Sequence, residues 1–219
     1  MKVKVCGLKN PENIDQLLNL SIDWVGFIFY EKSLRKVNYE ELSKWITDHS
    51  NKFNGKKRVG VFVNHPMEFI LNASGDFGLD YAQLHGDESL DYLRELTVYK
   101  SVLATGGFEL IKAVSGTQKD LNVLAEQYAP YCKYLLIDTK TADGSFGGTG
   151  VKFDWKILDD YRGPIPFFLS GGIGPMDVET ILKINHPLLA GVDLNSQFET
   201  AKGIKDPQLL KGFIEKIKD

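Results

Sequence analysis

Residues 165–175 read IPFFLSGGIGP, and this stretch shows how one repeat unit of the predicted fold begins, with a strand, a turn and the start of a helix. The run Ile165–Ser170 is nearly continuous in apolar residues, which is typical of a strand that is buried on both faces. Gly171 and Gly172 follow as a turn, and Pro175 stands where the first turn of a helix tolerates a proline. The stretch therefore predicts a buried strand that passes through a tight turn into a helix.

The same unit recurs along the whole chain. Eight short runs rich in Val, Ile, Leu or Phe predict buried strands, and segments with helical periodicity lie between them. The predicted strands are Val3–Leu8, Trp24–Tyr30, Arg58–Asn64, Tyr81–His85, Leu110–Ser115, Tyr134–Thr139, Ile165–Ser170 and Ala190–Ser196. Strands that alternate with helices form a parallel sheet, which either closes into a barrel or stays open as a doubly wound sheet.

The number of units favours the closed barrel. Eight units in 219 residues average about 27 residues each, close to the ~30 of a minimal βαβ unit. An open dinucleotide-binding sheet carries a glycine-rich fingerprint after its first strand, and Cys6-Gly7-Leu8-Lys9 is not one. No Pro/Ser-rich linker interrupts the pattern. We therefore predict an α/β fold in which residues 1–219 form a single-domain (β/α)8 TIM barrel.

Composition and charge argue against several classes of protein. Lys and Arg total 26 against 29 Asp and Glu, so the net charge of −3 does not suit a nucleic-acid partner. No apolar run approaches the ~20 residues that span a bilayer, and the first residues lack the apolar stretch of a secretory signal. Cys6 and Cys132 form no CxxC pair, which fits a reducing compartment. We predict a cytoplasmic protein with neither nucleic-acid nor membrane partners.

Active sites of such barrels lie at the C-terminal ends of the strands, so the polar residues at those ends are the candidates. They are Cys6, Lys9, Lys32, Ser33, Arg35, Asn64, Gln83, His85, Asp138, Ser170, Asp193, Asn195 and Ser196. No cluster of His, Cys, Asp and Glu has the spacing of metal ligands, so no metal is predicted.

The glycines after the seventh strand predict a phosphate site. Gly171 and Gly172 let backbone N–H groups approach a ligand closely, and a helix N-terminus favours an anion. The loops after strands seven and eight are the frequent phosphate site of such barrels, and Asn195 and Ser196 supply short donors there. The alternative is that the glycines only form a tight turn.

Cys6 is a candidate catalytic thiol. It lies at the mouth end of the first strand, where Lys4, Lys9 and Arg35 are available to favour a thiolate. The alternative is a small buried apolar residue, which is the commoner role of a free cysteine and the one predicted for Cys132.

Asp138 and His85 are the candidate proton-transfer and orienting groups. Asp138 follows a run of apolar residues, and partial burial would favour its protonated, acidic form. The alternative is that Asp138 caps the next loop. His85 either orients a substrate or makes a hydrogen bond at a strand end.

These residues lie in segments that resemble the phosphoribosylanthranilate isomerases, barrel enzymes of tryptophan biosynthesis. The segments occur in order along the chain: KVCGL at 4–8, GFIFYEKS at 26–33, VGVFVN at 59–64, QLHG at 83–86, LIDT at 136–139, GGTG at 147–150, FDW at 153–155, LSGGI at 169–173 and GVD at 191–193. One such motif would be weak evidence, but the ordered set is highly specific.

The resemblance implies a cofactor-free Amadori rearrangement. N-(5-phosphoribosyl)anthranilate becomes 1-(2-carboxyphenylamino)-1-deoxyribulose 5-phosphate, with Asp138 as the general acid and Cys6 as the general base. Arg35 is implied on the anthranilate side, and His85 and Asp193 are placed among the substrate-binding residues. The implied phosphate-binding residues are Gly171, Gly172, Asn195 and Ser196.

Three departures from the family pattern stand out. Leu34 occupies a position where the family often has Pro, and Asn195-Ser196-Gln197 replaces the usual Ser-Ser-Gly run. Residues 98–108 have no clear counterpart and are predicted to be a lengthened surface connection.

Three other functions are open at this stage. An indole-forming synthase would use a catalytic lysine in the barrel, and no predicted strand carries an obvious buried one. A histidine-pathway isomerase would have an aspartate near the end of the first strand, where this chain has Cys6. A catalytically silent barrel that binds a phosphorylated metabolite would have no need of Cys6 and Asp138 together.

Overall fold

The computed structural model describes residues 1–102, 107–118, 120–139 and 154–219. Eight parallel strands close into a barrel in which each strand pairs with the next along the chain and the last pairs with the first. The strands are β1 (Lys2–Cys6), β2 (Trp24–Ile28), β3 (Lys57–Phe62), β4 (Tyr81–Leu84), β5 (Glu109–Ser115), β6 (Cys132–Asp138), β7 (Phe167–Leu169) and β8 (Leu189–Leu194). The closed barrel confirms the predicted α/β TIM-barrel fold and excludes the open sheet.

The helices lie between the strands. They are α1 (Pro11–Leu18), α2 (Tyr39–Asp48), α3 (Met67–Asp76), α4 (Leu90–Val102), α5 (Leu121–Tyr128), α6 (Val178–Leu182) and α7 (Pro207–Lys218). In the described part of the β6–β7 connection the helical segment is the 3-10 helix Trp155–Asp160. A hairpin of β9 (Glu199–Ala201) and β10 (Ile204–Lys205) precedes α7. None of the helices within the described ranges combines the length and apolarity needed to cross a membrane.

Side-chain caps and prolines fix where two of these helices begin. The side chain of Asn10 accepts a hydrogen bond from the backbone N–H of Asn13 at 2.8 Å, directly before α1. Asp206 caps α7 in the same way by accepting from Gln208 and Leu209. Each cap is followed by a proline at the first helical position, where a missing N–H costs nothing.

Alternate residues of each strand face opposite sides of the barrel wall. On β1, Val3 and Val5 face outward into the apolar core shared with the helices. Lys4 faces inward and reaches Gln83 on β4, across the barrel. The outer layer thus holds the helices in place, and the inner layer is available for the site.

Aromatic side chains fill the N-terminal end of the barrel interior. Trp24 stacks on Tyr81 with ring centroids 4.3 Å apart and lies 4.5 Å from the ring of Phe168. Tyr134 meets Trp24 edge-on at 5.4 Å. We call these four residues the aromatic floor; together they close the barrel below the site.

The predicted strands run too far at their C-terminal ends. Every one except the fifth extends one or two residues beyond the observed strand. Leu8, Phe29 and Val63 are buried although they follow the last paired residues. Apolar character therefore continues into the mouth of the barrel after pairing has ended, which explains the error.

Two other sequence segments are placed only in part. Of the unmatched residues 98–108, those at 98–102 form the end of α4 rather than a surface connection, and 103–106 lie outside the described residues. The GGTG segment at 147–150 also lies outside them.

Candidate active site

A cleft at the C-terminal ends of the strands lacks the candidates Lys9, Lys32 and Asn64 but contains every residue that was predicted to have a catalytic, substrate-binding or phosphate-binding role. They come from the ends of six different strands: Cys6, Arg35, His85, Asp138, Gly171, Gly172, Asp193, Asn195 and Ser196. A larger cavity of about 340 Å³ adjoins the cleft and shares His85 and Asp138 with it. The barrel thus brings residues from both ends of the chain to one place.

Cys6 is the last residue of β1, and its side chain is buried at the base of the cleft. A Cβ atom at Gly26, on the neighbouring strand, would lie 2.8 Å from the Cys6 Sγ atom. Glycine at this position therefore leaves the room that the thiol occupies.

The expectation that nearby cations favour a Cys6 thiolate is wrong for the protein without substrate. Burial raises the pKa of the Cys6 thiol, and the nearby Lys4 and Lys205 ammonium groups offset only part of this shift. Of the other two cations considered, Lys9 donates to the Leu34 carbonyl and Arg35 pairs with a carboxylate. At neutral pH the resting group is a thiol.

Asp138 ends β6 and makes two polar contacts. Its Oδ1 atom accepts a hydrogen bond from the Thr139 backbone N–H at 2.7 Å, as the loop-capping alternative predicts. Its Oδ2 atom lies 3.3 Å from His85 Nε2. The carboxyl is only partly buried, so it caps the loop and still faces the cleft.

A row of hydrogen-bonded side chains crosses the barrel interior behind the cleft. Lys4 Nζ donates to Gln83 Oε1 at 2.6 Å, and Gln83 Nε2 lies 2.7 Å from His85 Nδ1. Lys4 Nζ also lies 3.2 Å from Asp193 Oδ2. Burial lowers the pKa of the Lys4 ammonium, but Asp193 and Cys6 more than offset this, so the net shift is upward. Lys4 is therefore a buried cation.

The expectation that no strand carries a buried lysine is wrong. Lys4 on β1 is fully buried, and Lys112 on β5 is buried with its Nζ atom 2.8 Å from Glu88. Both lysines are tolerated because each is paired with a carboxylate. The absence of a buried lysine therefore cannot be used against an indole-forming synthase.

Sequence reasoning gave no role to Gln83 and considered Lys4 only as a neighbour of Cys6. A signal was present: Lys4 and Gln83 each stand two residues before a predicted site residue, Cys6 and His85. Residues two apart on a strand face the same side of the barrel wall. The signal places them inside the barrel, but it does not show that they meet.

Arg35 is held by a carboxylate from the hairpin. Its Nε and Nη2 atoms lie 2.7 and 2.8 Å from the two carboxylate oxygens of Glu199, and Lys205 Nζ lies 2.8 Å from the same carboxylate. Burial raises the pKa of Glu199, but Arg35 and Lys205 outweigh it and the net shift is downward. Arg35 Nη1 makes no hydrogen bond within the part of the chain that the structure describes.

The β7 loop requires glycine. Gly171 and Gly172 have φ angles of +89° and +67°, which side-chain-bearing residues rarely adopt. A Cβ atom at Gly171 would also collide with Thr139 and lie 2.8 Å from Asp138 Oδ1. The N–H of Gly174 is not available to a ligand, because it donates to Asp177 Oδ2 at 2.6 Å.

The β8 loop offers donors and an unpaired acceptor. Lys205 Nζ donates to Asn195 Oδ1 at 2.7 Å, which leaves the Asn195 Nδ2 group as a donor, and Ser196 begins a 3-10 turn. Asp193 Oδ1 is buried and has no hydrogen-bond partner among the described residues. In the same ranges no three His, Cys, Asp or Glu side chains are grouped so that they could hold a metal ion.

The closed barrel and its polar cleft define the class of fold: a (β/α)8 barrel with a candidate active site at the C-terminal ends of its strands. The family described as N-(5'phosphoribosyl)anthranilate (PRA) isomerase matches residues 3–216. The chain belongs to this family.

Individual relatives agree. The N-(5'-phosphoribosyl)anthranilate isomerase of Parabacteroides distasonis is 42% identical over 99% of this chain and 93% of its own. The crystal structure of phosphoribosyl anthranilate isomerase from Thermotoga maritima superposes with a TM-score of 0.80 at 32% identity, covering 100% and 98% of the two chains. Another phosphoribosyl anthranilate isomerase, 29% identical with a TM-score of 0.77 over 100% and 98%, was solved with reduced 1-(o-carboxyphenylamino)-1-deoxyribulose 5-phosphate. The chain is thus an isomerase of tryptophan biosynthesis.

Proposed function

We propose that Asp138 and Cys6 are the general acid and the general base with which this cleft converts N-(5'-phosphoribosyl)anthranilate into 1-(2-carboxyphenylamino)-1-deoxyribulose 5-phosphate. Membership of the family supports the reaction. The observation that carries the two roles is that both side chains line the same cleft from different strands, β1 and β6. They therefore reach a bound substrate from different sides.

Asp138 acts first, by protonating the oxygen of the ribose ring. The bond between this oxygen and C1 breaks as the nitrogen lone pair forms a C1=N double bond, so the product of the step is an open-chain iminium ion. The Asp138 carboxylate that remains keeps two donors, the Thr139 N–H and the His85 ring. Both contacts stabilise the charge that the step creates.

Cys6 then removes the proton from C2. The iminium cation acidifies this proton, and the enaminol that forms rearranges to the ketone as C1 gains a proton. The resting thiol must first lose its proton to solvent in the cleft, and the charges of the Lys4 and Lys205 ammonium groups stabilise the thiolate that forms. One acid and one base complete the isomerisation, each worth about 10²–10⁴-fold in rate, so no cofactor is required.

The remaining predicted residues hold the substrate on either side of C2. We assign the phosphate to the β7 and β8 loops, through Gly171, Gly172, Asn195 and Ser196. We assign the unpaired Asp193 Oδ1 as the acceptor for a ribose hydroxyl and Arg35 as the positive charge for the anthranilate carboxylate, because both residues line the cleft. His85 orients Asp138.

We propose that residues 1–219 work as one domain in the cytoplasm, on a small phosphorylated molecule. The net charge of −3 supports a role without nucleic acid.

The test is a continuous fluorescence assay with freshly made phosphoribosylanthranilate, which follows loss of the anthranilate-amine signal without added metal or cofactor. We expect Asp138→Asn to lower kcat by about 10²–10⁴-fold while KM changes only a few-fold. The matched control is Asp91→Asn, an exposed aspartate on α4, which should turn over at the wild-type rate.

Two results would contradict the assigned roles. A wild-type kcat in Asp138→Asn would remove Asp138 from the chemistry. A wild-type protein that binds inorganic phosphate but shows no turnover would instead favour a silent phosphate-binding barrel.

A further inference from the structure

We propose that Lys4 and Gln83 form a tautomer lock that keeps His85 a neutral imidazole with its proton on Nε2. In this form His85 donates to Asp138 and does not place a positive charge beside it. The tautomer is argued from geometry alone; its value to catalysis rests on the proposed function, in which Asp138 is the acid.

Lys4 fixes the orientation of the Gln83 amide. An ammonium group has donors and no acceptor, so the Gln83 atom that lies 2.6 Å from Lys4 Nζ must be the oxygen. Lys4 is fully buried and paired with Asp193, so it remains charged in its position. The orientation of the Gln83 amide is therefore fixed by a neighbour rather than chosen freely.

The Gln83 amide in turn fixes the proton position on the His85 ring. With its oxygen facing Lys4, Gln83 presents its NH2 group to His85 Nδ1 at 2.7 Å. A donor at this distance requires an acceptor, so Nδ1 carries no proton. The proton of the neutral ring is then on Nε2, which lies 3.3 Å from Asp138 Oδ2 and donates toward it.

A charged His85 ring conflicts with this arrangement. An imidazolium would have N–H on Nδ1, facing the Gln83 NH2 group. Rotation of the amide would relieve that contact but would turn the NH2 group onto the Lys4 ammonium. Either arrangement leaves two donors facing each other, and because the Gln83 amide is buried, although His85 is partly exposed, the amide loses a hydrogen bond.

The surrounding charges show why a lock is needed. Carboxylates from two strands lie near His85, namely Asp138 on β6, whose Oδ2 atom is 3.3 Å from His85 Nε2, and Asp193 on β8. The other charged groups that line the cavity shared with His85 are Asp87, Glu88 and Lys112. An imidazolium beside Asp138 would hold Asp138 as a carboxylate, and a carboxylate cannot protonate the ribose ring.

The Gln83→Glu variant keeps the contacts to Lys4 and His85 but removes the donor that holds Nδ1 unprotonated. Glutamate has nearly the same shape, and its carboxylate accepts from Lys4 and from a protonated Nδ1 at the same time. The experiment records ¹⁵N spectra of protein labelled at histidine, at pH 7. His85→Gln identifies the His85 signals among those of the four histidines.

We expect the wild-type His85 signals to be those of a neutral ring with the proton on Nε2. In Gln83→Glu both ring nitrogens should be protonated. A wild-type ring with its proton on Nδ1, or a charged wild-type ring, would overturn the proposal even if the variant failed to fold. An unchanged spectrum in a folded Gln83→Glu protein would also overturn it.

Kinetics connect the lock to the reaction. Gln83→Glu should lower kcat at pH 7 at least about tenfold with little change in KM, because the general acid is lost in most molecules. The same substitution in a His85→Gln background should have no further effect, since the lock acts through His85. If the spectra change as expected and kcat does not, the lock stands and Asp138 is not the acid.

Discussion

The two ends of the barrel interior are built from the same strands and have opposite characters. On β4, Tyr81 belongs to the aromatic floor, whereas Gln83 two residues later bonds a buried ammonium. On β6, Tyr134 packs in the floor and Asp138 faces the cleft. Along one strand, an aromatic residue that packs in the floor is therefore followed, one or two inward-facing positions later, by a polar residue of the site.

The floor makes the chemistry above it possible. Its rings close the barrel from below, so the side chains above them are removed from water on that side. This burial is what raises the pKa of Cys6 and makes the pairing of Lys4 with Asp193 necessary. We therefore expect substitutions in the floor to change stability, and substitutions above it to change rate.

The largest expected effect is on stability. Phe168→Ala removes a fully buried ring from the floor and should lower the free energy of unfolding by about 3–5 kcal/mol. Urea denaturation measures this loss, and the fluorescence assay at a temperature where the variant is folded should give kcat within a few-fold of wild type. The partly buried Phe69 on α3 serves as the control, with a smaller loss in Phe69→Ala. A loss of kcat as large as that of Asp138→Asn would show that the two ends are not separable.

The two cysteines provide a matched pair for the next effect. Both are buried and free, but Cys6 lines the cleft and Cys132 packs in the outer core. Cys6→Ala should lower kcat about a hundredfold or more, equivalent to about 2.7 kcal/mol, with KM little changed. Cys132→Ala should leave kcat unchanged. Equal kcat values in the two variants would show that Cys6 is structural.

A smaller effect is expected at the β7 loop. Gly171→Ala forces a side chain into the left-handed region and against Thr139, so the loop must shift and the KM for the phosphorylated substrate should rise about tenfold. Gly75→Ala on α3 is the control, because a Cβ there meets no atom within 4 Å. An unchanged KM in Gly171→Ala would place the phosphate elsewhere.

The smallest effect is the pH dependence of thiol alkylation. Because the pKa of Cys6 is raised, its thiolate is scarce at pH 7 and should increase only above the ordinary range near pH 8.5. In a Cys132→Ala background, mass spectrometry should show iodoacetamide reacting slowly at pH 7 and faster as the pH rises. Lys4→Met removes a nearby cation and should move this rise to still higher pH. A rate at pH 7 equal to that at pH 9 would contradict the raised pKa.

Much of this arrangement is predictable from the sequence, and the reason is periodicity. Apolar runs located the eight strands, and polar residues at their ends located the cleft, because closure of a parallel barrel brings all the strand ends together. The prediction of a Cys6 thiolate was wrong for a different reason. A sequence shows that lysines are near Cys6 along the chain, but not how far the thiol is removed from water.

The sequence did not predict which residues far apart in the chain pair with each other. Arg35 meets Glu199 from a hairpin that no pattern predicted, and Lys4 meets Gln83 across the barrel. Each pairing depends on which inward positions lie at the same height, and the register between strands sets this. The sequence predicts that a side chain faces inward, whereas the register of the strands in the closed barrel determines which side chain it contacts.

The hairpin also sets when the site can exist. Cys6 and Arg35 are synthesised early, but the carboxylate that holds Arg35 and the ammonium that fixes Asn195 come from residues 199 and 205. The Lys205 backbone also exchanges two hydrogen bonds with the Asn13 side chain on α1, which joins the end of the chain to its beginning. A chain still growing on the ribosome therefore lacks these contacts, and we expect activity only after the hairpin has left the exit tunnel.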